Sequence, residues 1–196
     1  MTGQLVNSSD HDLIHKIQQG SLDALGVIYD RHRHLVYRTA LAICNDAEAA
    51  ADLLQDVFLR LHRFADRVDA ERPLEPWLYR VTTNLAYTWV KRHHKWSRPL
   101  EEIAEWLAAN KMQTPHYLIE IGDDSRRVQQ ALGKLPLPQR IVLALYYIDD
   151  LPLQEIAEIL EIPLGTVKSR LHYGRLALKK NLGLNVVSTG ELLDVT

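Results

Sequence analysis

Apolar residues recur at three- and four-residue steps along nearly the whole chain. Between Ser21 and Cys44 they fall at Leu22, Leu25, Ile28, Tyr29, Leu35, Val36, Ala40 and Ile43, the stripe of an amphipathic helix. Asn45, followed three residues on by Glu48, reads as a capping box and predicts that a second helix starts there. Its apolar face is Ala47, Ala50, Ala51, Leu54, Val57, Phe58 and Leu61. Residues 67–76, with Pro73, Pro76 and charges of both signs, read as a loop. A third helix is predicted from about Glu75 to Trp96, with Trp77, Leu78, Val81, Leu85 and Trp89 inward. Strand signals are weak, because no alternating β-branched run occurs. Three helices of this length can enclose one core, giving a first domain over 10–96.

Residues 97–123 change character. They are acidic, interrupted by Pro99 and Pro115, and hold one short amphipathic piece around Ile103–Leu107. This composition reads as an interdomain linker. Helices are predicted again over Asp124–Leu135, Pro138–Ile148, Leu153–Leu160 and Thr166–Leu182, forming a second domain over 124–182. The tail 183–196 carries no strong pattern. The expected fold is all-α: two small helical domains joined by a flexible linker.

Composition narrows the classes. With 196 residues, 46% of them hydrophobic, the chain can bury a core in one large domain or two small ones. The single cysteine, Cys44, excludes an internal disulfide framework and a cysteine-based zinc site within one chain. No apolar run approaches the roughly 18–20 residues of a membrane span, and MTGQLVNSSDHD lacks a basic-then-apolar signal. A cytoplasmic chain without membrane insertion is therefore expected.

A net charge of −2 conceals strong segregation. Asp46, Glu48, Asp52 and Asp56 meet no Lys or Arg between residues 46 and 58. Residues 60–98 hold nine Lys/Arg against four Asp/Glu, and residues 99–124 hold six acids against Lys111 alone. Five acids without a base lie in 149–161, and five bases without an acid in 165–180. Two basic blocks separated by acidic ones can bind a polyanion at two places.

The second basic block coincides with the sharpest local pattern, LPLQEIAEILEIPLGTVKSRLHYGRLALKK. A short helix with Ile156, Ala157 and Leu160 on one face meets a break containing Pro163 and Gly165. A helix with Val167, Leu171, Gly174 and Leu178 inward follows. This is the helix-turn-helix pattern. Ser169 and His172 lie opposite the stripe, Tyr173 lies outside it, and Lys168 and Arg175 flank it, a face suited to phosphate contact and base-edge reading. A helical hairpin with a solvated basic face is the plainer alternative.

The first basic block contains PWLYRVTTNLAYTWVKRHHKW. Tyr79, Arg80, Thr83, Asn84, Tyr87 and Lys91 are predicted on the face away from Trp77. Exposed rings and guanidinium groups stack on unpaired bases, an amide reads an edge and lysines hold the backbone. A partly buried aromatic helix with a solvated face explains the same residues.

Taken together, DLLQDVFLRLHRF, PWLYRVTTNLAYTWVKR and LPLPQRIVLALYYIDDLPLQEIAEILEIPLGTVKSRLHYGRLALKK resemble the two domains of bacterial extracytoplasmic-function (group 4) sigma factors, over residues 10–96 and 124–182. The resemblance implies a sigma region 2, a linker and a sigma region 4. It implies that the protein binds core RNA polymerase and directs promoter-specific transcription initiation, recognising −35 and −10 elements and helping to melt the −10 DNA. Asp52, Gln55, Asp56 and Leu59 match the positions that bind the β′ clamp coiled coil, and the β subunit is a further implied contact. Arg67, Val68, Arg80, Asn84, Lys91 and Arg92 match the −10-binding surface, with Asn84 at the base-reading position. An internal helix–helix hydrogen bond is the alternative role for Asn84. Thr166, Lys168, Ser169, Arg170, His172, Tyr173 and Arg175 match the −35-binding surface. Family members often carry Arg where Tyr173 stands and Ala where Gly174 stands. An anti-sigma factor is an implied partner. The acidic linker is implied to run near the RNA exit path as a nucleic-acid mimic, where a solvated spacer would serve equally on charge alone.

No catalytic role is expected: there is no glycine-rich phosphate loop, nucleophile elbow or evident carboxylate pair. No cofactor or metal is expected either. Among nine histidines, His93 and His94 are adjacent and diverge, leaving His11/His15 as the one i,i+4 pair. Two other readings compete: a stand-alone helix-turn-helix regulator, and a sigma-like mimic that sequesters an anti-sigma factor.

Overall fold

The structure, a computed structural model, describes residues 5–93 and 123–183. Helix α1 (Asp10–Gln18) begins at a reciprocal cap, in which Ser9 accepts from the Asp12 backbone N–H and the Asp12 carboxylate accepts from that of Ser9. It buries Leu13, Ile14 and Ile17. Ser21 caps α2 (Leu22–Cys44) by accepting from Ala24. At 23 residues this is the longest helix described, spanning about 35 Å.

Helix α2 stops at Asn45, whose left-handed backbone (φ 58°) returns its N–H to Leu41 O. Helix α3 (Ala47–Arg63) then starts at Asp46, whose carboxylate accepts from Ala49 N–H at 2.9 Å. The capping box expected from Asn45 and Glu48 is not formed. Asn45 is used to end one helix, so the cap of the next falls one residue later. A 3-10 turn (Ala65–Arg67) and an irregular stretch lead to α4 (Glu75–His93).

The second set comprises α5 (Asp123–Gly133), α6 (Leu137–Tyr147), α7 (Leu153–Leu160) and α8 (Leu164–Asn181). Glu161, at φ 54°, makes the sharp exit from α7, and Pro163 precedes the first turn of α8. The turn is thus tighter than the sequence suggested, because Leu164 and Gly165 already belong to the helix. Gly174 faces α6 so closely that a methyl group there would overlap the Leu143 side chain. Among the described residues there is no strand, and no helix is long and apolar enough to cross a membrane.

The two sets pack on each other. Helix α6 lies between α8 and α2, which explains why six consecutive residues, Arg140 to Leu145, are buried. Helix α7 packs on α4, and α5 on α2. Buried Arg140 ties the sets at one end by donating to Ile43 O at 2.8 Å and to Leu135 O at 3.1 Å, with Gly133 O as a third acceptor. Carbonyls at the ends of α2 and α5 thus offset its charge.

Candidate nucleic-acid interface

Helix α4 was expected to turn Trp77, Leu78, Val81, Leu85 and Trp89 inward and Tyr79 and Thr83 outward. Only Leu78 of the first group is fully buried. Tyr79, Thr82, Thr83, Ala86 and Val90 complete the buried face. The cause is a second neighbour. Helix α4 is covered by α2 and α3 on one side and by α7 on another, so it has no single solvent face. Thr82 and Thr83 satisfy their hydroxyls by donating to Leu78 O and Tyr79 O one turn back. Burial, with Asp149 nearby, pushes the Tyr79 phenol up to about 12. Tyr79 is therefore not available to stack on a base in this arrangement.

Arg80, Asn84, Tyr87, Lys91 and Arg92 do remain exposed. The Lys91 ammonium sits 5.5 Å above the Tyr87 ring, a cation–π pair on the exposed face. The Asn84 side chain makes no hydrogen bond with another described residue, so the internal helix–helix bond considered for it is not formed. Asn84 and Arg92 line a groove of about 350 Å³ together with Trp89 of α4 and Asp56 and Arg60 of α3. Beside the groove, Asp52, Gln55, Asp56 and Leu59 form one exposed stripe of α3 at helical spacing. Leu59 is 62% exposed, a large apolar side chain left uncovered among acids and an amide.

The stretch after α3 splits the expected −10 pair. Arg67 is exposed and its guanidinium lies 5.2 Å over the Phe64 ring, whereas the Val68 side chain is buried. The Val68 backbone is engaged as well, the N–H donating to Ala65 O and the carbonyl accepting from Gln18. A second groove, of about 370 Å³, has Arg67, Arg72, Trp77 and Arg80 on one wall and Glu155 and Glu158 of α7 on the other. Arg80 bridges it, donating to Glu158 O at 3.0 Å and pairing with Glu161 at 2.9 Å.

On the helix-turn-helix, Lys168, Ser169, His172, Tyr173 and Arg175 are exposed, while Thr166 and Arg170 are half-buried. The Ser169 hydroxyl donates to Thr166 O. Arg175 folds back: its Nε donates to the Tyr147 hydroxyl at 2.7 Å, and its guanidinium covers the Tyr146 and Tyr147 rings. Tyr173 is 60% exposed and meets His172 edge to face. An acid-free helix thus presents a hydroxyl, an imidazole, a phenol and an ammonium to solvent.

Sequence reasoning did not find the groups that bring these surfaces together. Asp149 and Arg140 are the buried charged residues at the junction, and each lies about 100 residues from its partner, with separations of 111 and 97. No local pattern marks them, except that an aspartate and an arginine flank the apolar run of α6.

Known proteins share both regions and the fold. The family described as sigma-70 region 2 matches residues 28–96, and that described as sigma-70 region 4 matches residues 125–178. The ECF RNA polymerase sigma factor SigW of Bacillus subtilis is 33% identical over 177 residues, covering 86% of this chain and 94% of SigW. CnrH, solved in complex with the cytosolic domain of CnrY, shares the fold at a TM-score of 0.66 and 22% identity, over 91% of this chain and 99% of CnrH. The sigma factor RpoE of Bartonella quintana, solved with the anti-sigma factor NepR, does so at 0.58 and 20%, over 78% and 92%. With both regions present in order and a relative of this similarity matched almost end to end, the chain belongs to the ECF RNA polymerase sigma factors.

Proposed function

We infer that this protein directs promoter-specific initiation by docking on core RNA polymerase through residues 10–96 (region 2), reading the −10 element with the same domain and the −35 element with residues 124–182 (region 4). The observation that carries the reading is the shared groove of α3 and α4. Asp56, next to the exposed Leu59, and the exposed Asn84 line one cavity, so a polymerase-facing stripe and a base-reading amide would adjoin. Asp52, Gln55, Asp56 and Leu59 would hold the β′ coiled coil, with the acids steering a basic partner and Leu59 anchoring it. Arg67, Arg80, Lys91 and Arg92 would hold the −10 strand around Asn84, with buried Val68 fixing the stretch that carries Arg67. Thr166, Lys168, Ser169, Arg170, His172 and Tyr173 would face the −35 duplex, and Arg175 would join them only on leaving Tyr147. The work is recruitment in the cytoplasm, with no covalent step.

The arrangement with α7 on α4 is then a resting form. Elements about 25 base pairs apart are separated by roughly 85 Å of duplex, whereas Arg80 and Glu158 touch. The chain over 97–123 reaches at most about 90 Å when extended, enough for the two domains to part and occupy both elements. Closed, the protein ties Arg80 to Glu158 O and Glu161, and an anti-sigma factor is the partner expected to hold it so.

Run-off transcription with bacterial core polymerase on a randomised promoter library tests the reading. Transcripts sharing two spaced elements are expected, lost with Leu59→Asp through polymerase binding and with Asn84→Ala through −10 selection. No transcripts and no polymerase complex would overturn it.

A further inference from the structure

Three side chains outside the promoter-reading surfaces converge beside the 3-10 turn. His11 and His15 stand one turn apart on α1, with their rings edge to face and 4.6 Å between centroids. Glu71, from the stretch before α4, brings Oε1 to 3.4 Å from His11 Nδ1 and 3.9 Å from His15 Nε2. One donor atom from each residue lies within 4.8 Å of the other two. Ligands around a tetrahedral zinc ion stand roughly 3.3–3.5 Å apart, so small rotations of exposed side chains close the set.

The surrounding hydrogen bonds favour coordination by His15. Gln18 donates its amide to Ala65 O and Val68 O, both at 3.1 Å, which turns its Oε1 toward His15. That oxygen lies 3.1 Å from His15 Nδ1. The ring therefore donates from Nδ1 and keeps its lone pair on Nε2, the nitrogen nearer Glu71. An oxygen behind the imidazole, as Gln18 supplies for His15, is the usual support of a metal-binding histidine. His11 differs: its Nδ1, the nitrogen 3.4 Å from Glu71, also lies 3.1 Å from Ala70 O, so an ion takes that nitrogen in exchange for the hydrogen bond. The neighbouring cluster of Asp10, His32 and Glu75 differs, because Asp10 is already paired with Arg31 and with His32 Nε2.

We propose that His11, His15 and Glu71 form a binding site for a divalent transition-metal ion of the zinc class, and that the ion locks the stretch carrying Arg67 and Val68 onto α1. Two imidazoles and a carboxylate leave a fourth position open to water. All three side chains reach solvent, so the ion enters without unfolding. The link to −10 reading rests on the function proposed above, but the site and the lock do not.

The test uses the tag-free full chain, stripped with chelator, and requires neither polymerase nor DNA. Zn²⁺ is measured by competition with a chromophoric chelator, and Co²⁺ by the visible absorption of a four-coordinate complex. One equivalent is expected, weakened at least tenfold in His15→Ala and in Glu71→Gln and unchanged in His62→Ala. Amide hydrogen exchange across residues 66–72 should slow when Zn²⁺ is added to the wild type and not to Glu71→Gln. Absence of binding, equal binding by all variants, or unchanged exchange with the metal bound would each overturn the proposal.

Discussion

Arg38 of α2 donates from Nε to Oδ1 of Asp149 at 2.8 Å, joining the two helical sets through a carboxylate whose side chain is 0% exposed. The other oxygen, Oδ2, lies 2.9 Å from the Thr39 hydroxyl, which also lies 2.8 Å from Leu35 O. One hydroxyl proton serves only one of these acceptors at a time. A protonated Asp149 removes the conflict, by donating to Thr39 while Thr39 donates to Leu35. Burial pushes the Asp149 carboxyl above its ordinary 3.8, against the opposing pull of Thr39 and Arg38.

The sign of the pH effect follows. Between 3.8 and its raised value Asp149 binds a proton when the sets are packed and releases it when they part. Packing is therefore favoured at low pH and weakens as pH rises through the raised value. Small-angle scattering should record a rising radius of gyration over that window for the wild type. Asp149→Asn, which does not titrate, should lose that part of the slope, and an identical slope would sink the assignment.

Opening has a built-in reporter. The Cys44 thiol is buried and pushed up to about 12, and the carbonyl of its neighbour Ile43 is held by Arg140 across the interface. Thiol reagents at pH 8 should leave the native chain almost unlabelled. Arg140→Ala strands buried carbonyls, a loss of about 1–3 kcal/mol for each unsatisfied group. Cys44 labelling should accelerate at least fivefold and melting should fall by several degrees. A wild-type labelling rate would mean that Arg140 does not hold the junction.

What the sequence made legible was set by the range of the interactions. Helix limits came within a few residues, since caps such as Ser21 and breakers such as Pro163 act locally. Tyr79 and Thr83 were misplaced, because a helical wheel assumes one buried face and α4 has two neighbours. The cap shifted from Asn45 to Asp46 because one residue cannot both end α2 and start α3. The i,i+4 spacing of His11 and His15 was visible, but Glu71 joins them only through the fold. Spacing puts Asn84 on the outward face, with an internal helix–helix bond as the alternative, and the structure leaves it exposed in a groove.

Glu161 combines two properties that a single substitution separates from the fold. Its φ of 54° is one that glycine adopts without strain, and its carboxylate pairs with Arg80 at 2.9 Å. The pair is largely exposed, so its loss should cost well under 1 kcal/mol. Relief of the backbone offsets this by about 1 kcal/mol. Glu161→Gly should melt at or slightly above the wild-type temperature, while Arg80 is held by Glu158 O alone. Binding of a single-stranded −10 oligonucleotide by the free protein should tighten severalfold. Unchanged affinity would argue that Glu161 does not mask Arg80.

Gly174 is explained by contact and not by helix propensity. Alanine would gain about 1 kcal/mol in an isolated helix. Here the added methyl meets Leu143, which is 1% exposed and has little room to move. Overpacking of this kind costs about 1–3 kcal/mol or somewhat more. Gly174→Ala should lower the melting temperature by a few degrees. Leu143→Ala alone should cost about 2–5 kcal/mol, and the double variant should be more stable than the sum of the two losses predicts. Additive losses in that cycle would show that α8 does not rest on Leu143.

Tyr173, 60% exposed on α8, stands where the family resemblance implies that many members carry arginine. A phenol offers one donor and one acceptor, and cannot make the two-pronged contact with guanine O6 and N7 that arginine makes. Arg175, two residues on, does not substitute for it, because its guanidinium is bonded to Tyr147 and stacked on Tyr146. The −35 preference of this protein should therefore differ from that of its arginine-bearing relatives at one base pair. Promoter selection with the full-length protein on core polymerase, wild type against Tyr173→Arg, reads this directly. The variant should gain a guanine at a single −35 position, with discrimination of about 1–3 kcal/mol, or roughly 5- to 150-fold. Its −10 consensus should stay the same, since Asn84 and its groove are untouched. Identical −35 preferences in the two proteins would place Tyr173 outside the DNA-reading surface.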